Sequence, residues 1–176
     1  MNNLITVLID EINTRNLWNN KQRLKRNEYL NKEGVINSNL YFISKGTFRI
    51  YTVHGENEHT IRFGYQNNMI TAIDSFIHDQ PSQFYIQALK ESEVYSISKQ
   101  SFKNLIKEKK EYQQAYEAIL EQLILQQMER EMDLLIADPK ERYKRVLKRS
   151  PQLFQEIPLK YIAAYLRMAP ETLSRM

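Results

Sequence analysis

The side chains best suited to chemistry in this sequence lie close together near its end. They combine one carboxylate, two hydroxyls and two guanidinium groups within residues 167–175: Arg167, Glu171, Thr172, Ser174 and Arg175, with Pro170 among them. Side chains of these types hydrogen-bond to base edges and to phosphate oxygens. Because no Ser-His-Asp order, phosphate-binding loop or pair of carboxylates stands out elsewhere, the sequence predicts a binding protein and not an enzyme.

Two short helices are needed to hold these residues. The first has an apolar face at helical spacing, formed by Leu159, Ile162, Ala163 and Leu166. Pro158 suits its first turn, Pro170 can open the second helix, and Leu173 anchors that helix inward. A separation of about three residues is typical of a helix-turn-helix, whose second helix enters the major groove of DNA. The sequence ends at Met176, so we expect the second helix to be incomplete in it.

Positive charge is concentrated in the same region. Residues 138–176 contain nine Lys or Arg and four Asp or Glu, a balance of +5. The other residues contain 16 basic and 17 acidic side chains, so this region accounts for the net charge of +4. A basic face beside a helix-turn-helix is expected of a protein that binds nucleic acid. The alternative is a surface helix hairpin that only caps a core.

Length and composition set wider bounds. The 176 residues can form one large or two small domains with a proper core. The absence of cysteine excludes disulfides, zinc–thiolate sites and thiol catalysis. No apolar run reaches the ~20 residues of a membrane span, and the N-terminal residues lack the basic start of a signal peptide. We therefore expect a cytoplasmic protein with no membrane partner.

The first hundred residues combine one helix with many short strands. Residues 3–20 have a loosely helical apolar stripe: Leu4, Val7, Leu8, Ile12, Leu17 and Trp18. Over residues 22–97, runs rich in Tyr, Ile, Val, Phe and Thr alternate with turn residues. A hairpin tip is expected at residues 54–57. Several short strands at even spacing favour a sandwich or a barrel, and the flanking helices make the fold class α+β.

A long helix is predicted over residues 108–136, where neither Gly nor Pro occurs. Its apolar face includes Tyr116, Leu120, Leu123, Ile124 and Met128. At ~1.5 Å per residue the helix is about 40 Å long, more than a domain of this size needs. We therefore expect part of this face to pair with a second copy of the chain, the alternative being a helix packed wholly on its own strands. A shorter helix with Phe102 and Leu105 inward should precede it, capped by Ser98 or Ser101.

An Asp-Pro pair at residues 138–139 should end the long helix and mark a domain boundary. A basic helix is expected over residues 140–149. Its inward side chains are predicted to be Tyr143, Val146 and Leu147. Residues 150–151, Ser-Pro, end this helix, and an apolar link at residues 153–154 leads into the helix-turn-helix.

The order of strands, long helix, basic helix and helix-turn-helix resembles that of the Crp/Fnr family of bacterial transcription regulators. The residues that carry the resemblance are Gly34, Leu40, Tyr41, Phe42, Ile43, Lys45, Gly46, Ala88, Glu93, Ile97 and the Pro-Glu-Thr-Leu-Ser-Arg run at 170–175. It implies a β-roll sensor domain of the cyclic-nucleotide-binding type over residues 1–107, a dimerisation helix over 108–137 and a DNA-binding domain over 138–176.

The resemblance also implies roles for the C-terminal residues. Glu171 and Arg175 would contact bases, while Thr172 and Ser174 would contact the DNA backbone. Arg167 occupies a turn position where the family often has glycine, and it would contact a phosphate. The partners implied are double-stranded DNA and a second copy of the chain.

The effector pocket departs from the family pattern. Cyclic-nucleotide binders have a Gly-Glu pair for the ribose and an Arg-Ser/Thr-Ala run for the cyclic phosphate. The corresponding pocket residues here are Ile70, Thr71, Ala72, Ser82 and Gln83. Thr71 and Ala72 replace Gly-Glu, and Ser82 replaces the arginine, so a buried phosphate would lack its cation. We therefore expect neither cyclic AMP nor cyclic GMP to bind. Another small-molecule effector, or none, remains open, and no cofactor is expected.

Two other functions compete with this interpretation. One is a ligand-binding or protein-interaction module on a β-roll that has no DNA-binding activity. The other is an enzyme on a cupin-like barrel, with a metal held by His54, Glu56, Glu58 and His59. Because this cluster falls at a predicted hairpin tip, exposed polarity explains it better, and no metal is expected.

Overall fold

A computed structural model describes residues 3–175, with side chains from residue 5 onward. The helices are α1 (Asn3–Thr14), α2 (Ile73–His78), α3 (Lys99–Glu108), α4 (Lys110–Leu135), α5 (Pro139–Arg149), α6 (Pro151–Glu156), α7 (Leu159–Leu166) and α8 (Pro170–Ser174). The strands are β1 (Asn20–Leu24), β2 (Tyr29–Asn31), β3 (Asn39–Lys45), β4 (Thr47–His54), β5 (Asn57–Tyr65), β6 (Met69–Ile70), β7 (Tyr85–Ala88) and β8 (Ser92–Ser98). None of the helices in this described part is long and apolar enough to cross a membrane.

The strands form two antiparallel sheets of four, in the orders β1-β8-β3-β6 and β2-β7-β4-β5. Together they make the β-roll, so the predicted β-roll and α+β class are confirmed. The longest pairing is the β4–β5 hairpin, which runs from Thr47 opposite Tyr65 to His54 opposite Asn57 with a shift of register between Ile50 and Tyr51. Gly55 in its tip has φ of +61°, a conformation that glycine adopts at little cost.

Apolar burial joins the roll to the first helices. Between the sheets, Ile43, Phe48 and Ile86 are completely buried. A second cluster, which includes Leu8 and Leu105, packs α1, α3 and the start of α4 on the roll. Helix α3 begins as predicted, because the Ser98 hydroxyl accepts a hydrogen bond from the Ser101 amide at 3.1 Å. The base of α4 is therefore fixed to the roll.

A third cluster joins the C-terminal helices to the roll. It includes Ile162 and Leu166 of α7, Leu173 of α8, and two residues of the roll, Phe63 and Leu89. The helix-turn-helix thus shares its core with β5 instead of standing apart from it.

Several local predictions were wrong. The first helix ends at Thr14 and not near residue 20; Trp18 lies in the following segment, stacked on Phe42 with ring centroids 6.0 Å apart. Leu4 lies outside the residues whose side chains are described. Leu147 and Leu159, predicted to face inward, are 37% and 55% exposed. Helices α2 and α6 were not predicted, because six residues are too few to show a helical period.

Candidate functional site

The helix-turn-helix presents the start of α8 to solvent. Helices α7 and α8 are joined at Arg167, which adopts the left-handed conformation with φ of +50° and ψ of +53°. The Met168 amide donates to the Ala163 carbonyl at 3.0 Å, which closes the end of α7. Pro170 begins α8, and Leu173 is its buried anchor, as the sequence predicts. A left-handed arginine occupies the turn position at which a glycine would be less strained.

The predicted polar residues lie on one exposed surface of α8 and its flanks. The exposed residues are Arg167, Pro170, Glu171, Thr172, Ser174 and Arg175. The Ser174 hydroxyl already donates to the Glu171 carbonyl at 3.0 Å, within the helix. The charged side chains of this surface remain available for a partner.

Part of the basic charge expected to face a polyanion is used inside the protein. Arg145 and Arg149 of α5 pair with the buried carboxylate of Asp133 on α4, at 2.9 and 2.5 Å. Arg142 donates to the carbonyl of Ile136 at 2.9 Å. These contacts of the three arginines hold α5 against the C-terminal end of α4. The exposed basic side chains left in this region are Lys140, Lys144, Lys148, Lys160, Arg167 and Arg175.

Arg130 of α4 connects the roll to the helix-turn-helix. Its guanidinium is 8% exposed and donates to the Tyr165 carbonyl of α7 and to the Thr60 carbonyl of β5, both at 2.8 Å. It also lies 3.9 Å from the centre of the Tyr165 ring. The last carbonyls of a helix have no hydrogen-bond donor within the helix. Arg130 supplies a donor to one of them, the carbonyl of Tyr165 in the last turn of α7. Three elements therefore meet at a single side chain.

Arg49 of β4 makes a second connection. Its guanidinium is 3% exposed and pairs with Glu58 at 2.6 Å and with the Gln87 amide oxygen at 2.9 Å. Its Cζ atom lies 3.8 Å from the Tyr51 ring centre and 4.2 Å from that of Tyr161 in α7. An arginine this close to two aromatic rings gains cation–π attraction from each of them.

A third connection involves Glu156 at the end of α6. Its carboxylate accepts from the Thr47 hydroxyl at 3.0 Å and from the Lys90 ammonium at 3.2 Å. Burial opposes its ionisation, but hydrogen bonds from Gln152, Thr47 and Lys90 hold the pKa of Glu156 below its ordinary value. The orientation of the C-terminal helices on the roll is thus set by specific polar contacts, which the sequence pattern did not indicate.

The residues of the expected effector pocket are occupied by internal contacts. The Ser82 hydroxyl donates a hydrogen bond to one carboxylate oxygen of Asp74 at 2.9 Å, and the backbone amide of Gln83 donates to the other at 2.7 Å. The Ser75 amide adds a third hydrogen bond to Asp74 at 2.8 Å. The Asp74 carboxylate therefore accepts the hydrogen bonds that these three donors could otherwise give to a bound anion.

The remaining pocket residues offer little to a ligand. The Thr71 hydroxyl donates to the Asn39 carbonyl at 2.8 Å. Ile70 and Ala72 belong to the apolar core of the roll. No free cation takes the place of the absent arginine among these positions in the described structure.

Replacing Asp74 by alanine should create an anion site at these donors. We expect 10 mM inorganic phosphate, at constant ionic strength, to raise the melting temperature of Asp74→Ala and to leave that of the wild type unchanged. Losing a carboxylate that accepts three hydrogen bonds should itself cost about 1–3 kcal/mol of stability. Asp10→Ala removes the same charge from an exposed site in α1 and serves as the control. An equal phosphate response in the wild type would contradict the interpretation of Asp74.

Of the four residues considered as metal ligands, His54 and Glu56 are exposed at the hairpin, and Glu58 and His59 face the helix-turn-helix side. Glu58 pairs with Arg49, and His59 lies with Asn57 and Arg167 along a small cleft of about 460 Å³ beside the helix-turn-helix. Within residues 3–175, no cluster of His, Asp and Glu side chains is suitably placed to hold a metal ion.

The long helix has two different sides. Tyr116 is half-buried and contacts Phe102 edge to face, with centroids 5.7 Å apart; Leu120 and Leu123 are also half-buried. Beyond them the apolar residues become exposed: Ile124 (60%), Leu125 (63%), Met128 (57%), Met132 (54%) and Leu135 (74%). The distal half of α4 therefore has an apolar surface that the described residues of its own chain leave uncovered.

Comparison with solved structures identifies the fold. The chain is similar to a CooA variant from Carboxydothermus hydrogenoformans, with a TM-score of 0.76, 15% identity and coverage of 96% of this chain and 81% of the other. It is also similar to the regulator CLP of Xanthomonas campestris (TM-score 0.71, 13% identity, coverage 97% and 88%) and to the catabolite activator protein of Thermus thermophilus (0.58, 17%, 99% and 81%). The chain thus has the fold of the Crp/Fnr regulators, as the sequence resemblance implied.

The family is defined by the roll. The cyclic nucleotide-binding domain family matches residues 21–109. The chain belongs to this family. No curated protein matches its sequence.

Proposed function

We propose that this protein is a homodimeric transcription regulator that binds a palindromic site on double-stranded DNA. The observation that carries the proposal is the exposed start of α8, where Glu171, Thr172 and Arg175 form no side-chain hydrogen bond with any residue of the described 3–175. Glu171 and Arg175 would read base edges in the major groove, and Thr172 and Ser174 would contact the backbone. Arg167 would donate hydrogen bonds to a phosphate of the DNA backbone.

Dimerisation belongs to the same proposal. Two chains would pair through the exposed apolar surface of α4 and present two copies of α8 to half-sites about 34 Å apart. The roll would not take a cyclic nucleotide, because Asp74 already occupies the donors of Ser82 and Gln83. An effector, where one exists, would act by favouring one arrangement of the two α8 helices.

Sequencing of DNA fragments selected by the protein from a genomic library should return one palindromic motif. Binding to that motif should weaken steeply as salt rises, because basic side chains release counterions from phosphates. Arg175→Ala should lower base preference at one position of each half-site by about 1–3 kcal/mol. Arg26→Ala, an exposed arginine in the turn after β1, is the matched control and should leave the motif unchanged.

Each outcome separates the proposal from its rival. Equal loss of affinity for all sequences in Arg175→Ala would make this arginine a phosphate contact only. Absent or salt-independent binding would instead favour a ligand-binding or interaction module that does not bind DNA.

A further inference from the structure

A large cleft opens where the roll, the long helix and the C-terminal helices meet. It has a volume of about 960 Å³ and lies between β5, β6, the middle of α4 and the start of α6. Apolar side chains that line it include Phe63, Ile119, Leu123 and Leu153. This volume is within the range of pockets that hold organic ligands in other proteins. Of the residues of the expected effector pocket, where Asp74 accepts the hydrogen bonds of Ser82 and Gln83, only Ile70 also lines this cleft.

Arg62 of β5 lines this cleft without a partner. The side chain is partly buried, and within residues 3–175 no oxygen accepts a hydrogen bond from its guanidinium. Burial lowers the pKa of Arg62; the Tyr165 hydroxyl opposes this lowering, and repulsion by the Arg130 guanidinium adds to it. A guanidinium removed from water is costly unless an anion pairs with it.

The second arginine of the cleft also lacks a carboxylate in hydrogen-bond contact. Arg130 donates to the carbonyls of Thr60 and Tyr165, which accept two of its five N–H groups and carry no net charge. Glu129 and Arg149 line another part of the wall, 3.5 Å from each other, and their charges largely cancel. Two guanidinium groups, neither hydrogen-bonded to a carboxylate, therefore lie at the Arg62 side of the cleft.

We propose that this cleft binds an amphipathic anion, an apolar chain or ring with one carboxylate or phosphate group that pairs with Arg62. The apolar part would lie along Phe63, Leu123 and Leu153, and the charged group would take the place of water at the guanidinium. A charge-assisted bidentate contact is the arrangement in which arginine binds such groups best.

The position of the cleft gives the ligand a means of regulation. Its walls belong to β5, α4 and α6, and Arg130 joins two of these walls to α7. A ligand between them would favour one orientation of the helix-turn-helix over another. This regulatory part rests on the proposed function, whereas the binding part does not.

The binding part is tested by calorimetric titration of the wild-type protein with decanoate, decyl phosphate and decanol. We expect saturable binding of at least one anion and binding of decanol at least tenfold weaker. Arg62→Gln should weaken binding of that anion by about tenfold or more and leave decanol unchanged. The variant should fold, because it removes an unpaired charge; Arg62→Lys, which keeps the charge, should retain the preference for anions.

Arg26→Gln, with the same loss of charge at an exposed site, should bind all three compounds as the wild type does. A higher affinity for decanoate or for decyl phosphate identifies the headgroup. Three results would overturn the proposal: no saturable binding of either anion, equal binding of decanol, or equal losses in Arg62→Gln and Arg26→Gln. Because the titration contains no DNA, a failure of DNA binding leaves the result on the cleft intact.

Discussion

Replacing Arg130 by methionine is expected to lower the free energy of unfolding by about 3 kcal/mol, since it leaves two carbonyl oxygens without donors at a buried site. The carbonyls concerned are those of Tyr165 and Thr60, each 2.8 Å from the guanidinium. Methionine keeps much of the apolar stem, so the loss should report the hydrogen bonds and the cation–π contact and not a cavity. Urea titration followed by circular dichroism measures it.

The location of the loss can be tested separately. Because Arg130 satisfies the end of α7, hydrogen exchange should accelerate most at amides of α7 and α8, and least in the core of the roll. Arg130→Lys should recover part of the stability, since an ammonium reaches fewer acceptors than a planar guanidinium. Arg26→Met is the matched control, with an expected change below about 0.5 kcal/mol. If Arg130→Met also lowered the free energy of unfolding by less than about 0.5 kcal/mol, the hydrogen bonds of Arg130 would not be what holds the helix-turn-helix on the roll.

The features predictable from the sequence were those that depend on period and on local capping. The strand-to-helix change near Lys99, the Ser98 cap and the break at Asp138-Pro139 each follow from residues within a few positions of one another. The buried anchor Leu173 follows from the spacing of its short helix. Such signals need no knowledge of distant contacts.

The connections between domains could not be predicted in this way. Arg49 lies in an alternating strand and Arg130 in a polar stretch of α4, where an arginine normally faces solvent. Both become buried because an aromatic ring from α7 and acceptors distant in sequence surround them. The same applies to Asp74, whose three donors include one from Ser82, eight residues further along. Only the folded chain brings these partners together.

The sequence predicted which polar side chains the start of α8 exposes, but not which nearby basic side chains are paired within the protein. The polar surface of α8 follows from the residues at 170–175, and it is exposed as expected. The arginines of α5 looked equally available in the sequence, yet Arg145 and Arg149 pair with Asp133. Charge counted along a sequence therefore overstates the charge that a partner can meet.

The double substitution Ile124→Glu with Met128→Glu is expected to convert the protein from a dimer to a monomer. Both side chains lie on the exposed apolar surface of α4 and are 60% and 57% exposed in one chain. Fully burying an Ile or Met side chain contributes roughly 1.5–3 kcal/mol, and a dimer would bury the exposed part, a little over half, of four of them. A loss of about 3.5–7 kcal/mol weakens association by about 10²- to 10⁵-fold, before repulsion between the new carboxylates is counted.

Sedimentation equilibrium of both proteins over a range of concentrations measures the change. Gln113→Glu with Gln114→Glu adds the same charge to exposed positions near the base of α4, away from the proposed interface, and should remain dimeric. Since each residue replaced is exposed within its own chain, the monomer should keep its circular dichroism spectrum. It should also lose affinity for a palindromic site much more than for a single half-site, because only the dimer engages both halves at once. A monomeric wild type, or a double variant that stays dimeric, would remove α4 as the interface and with it the proposed spacing of the half-sites.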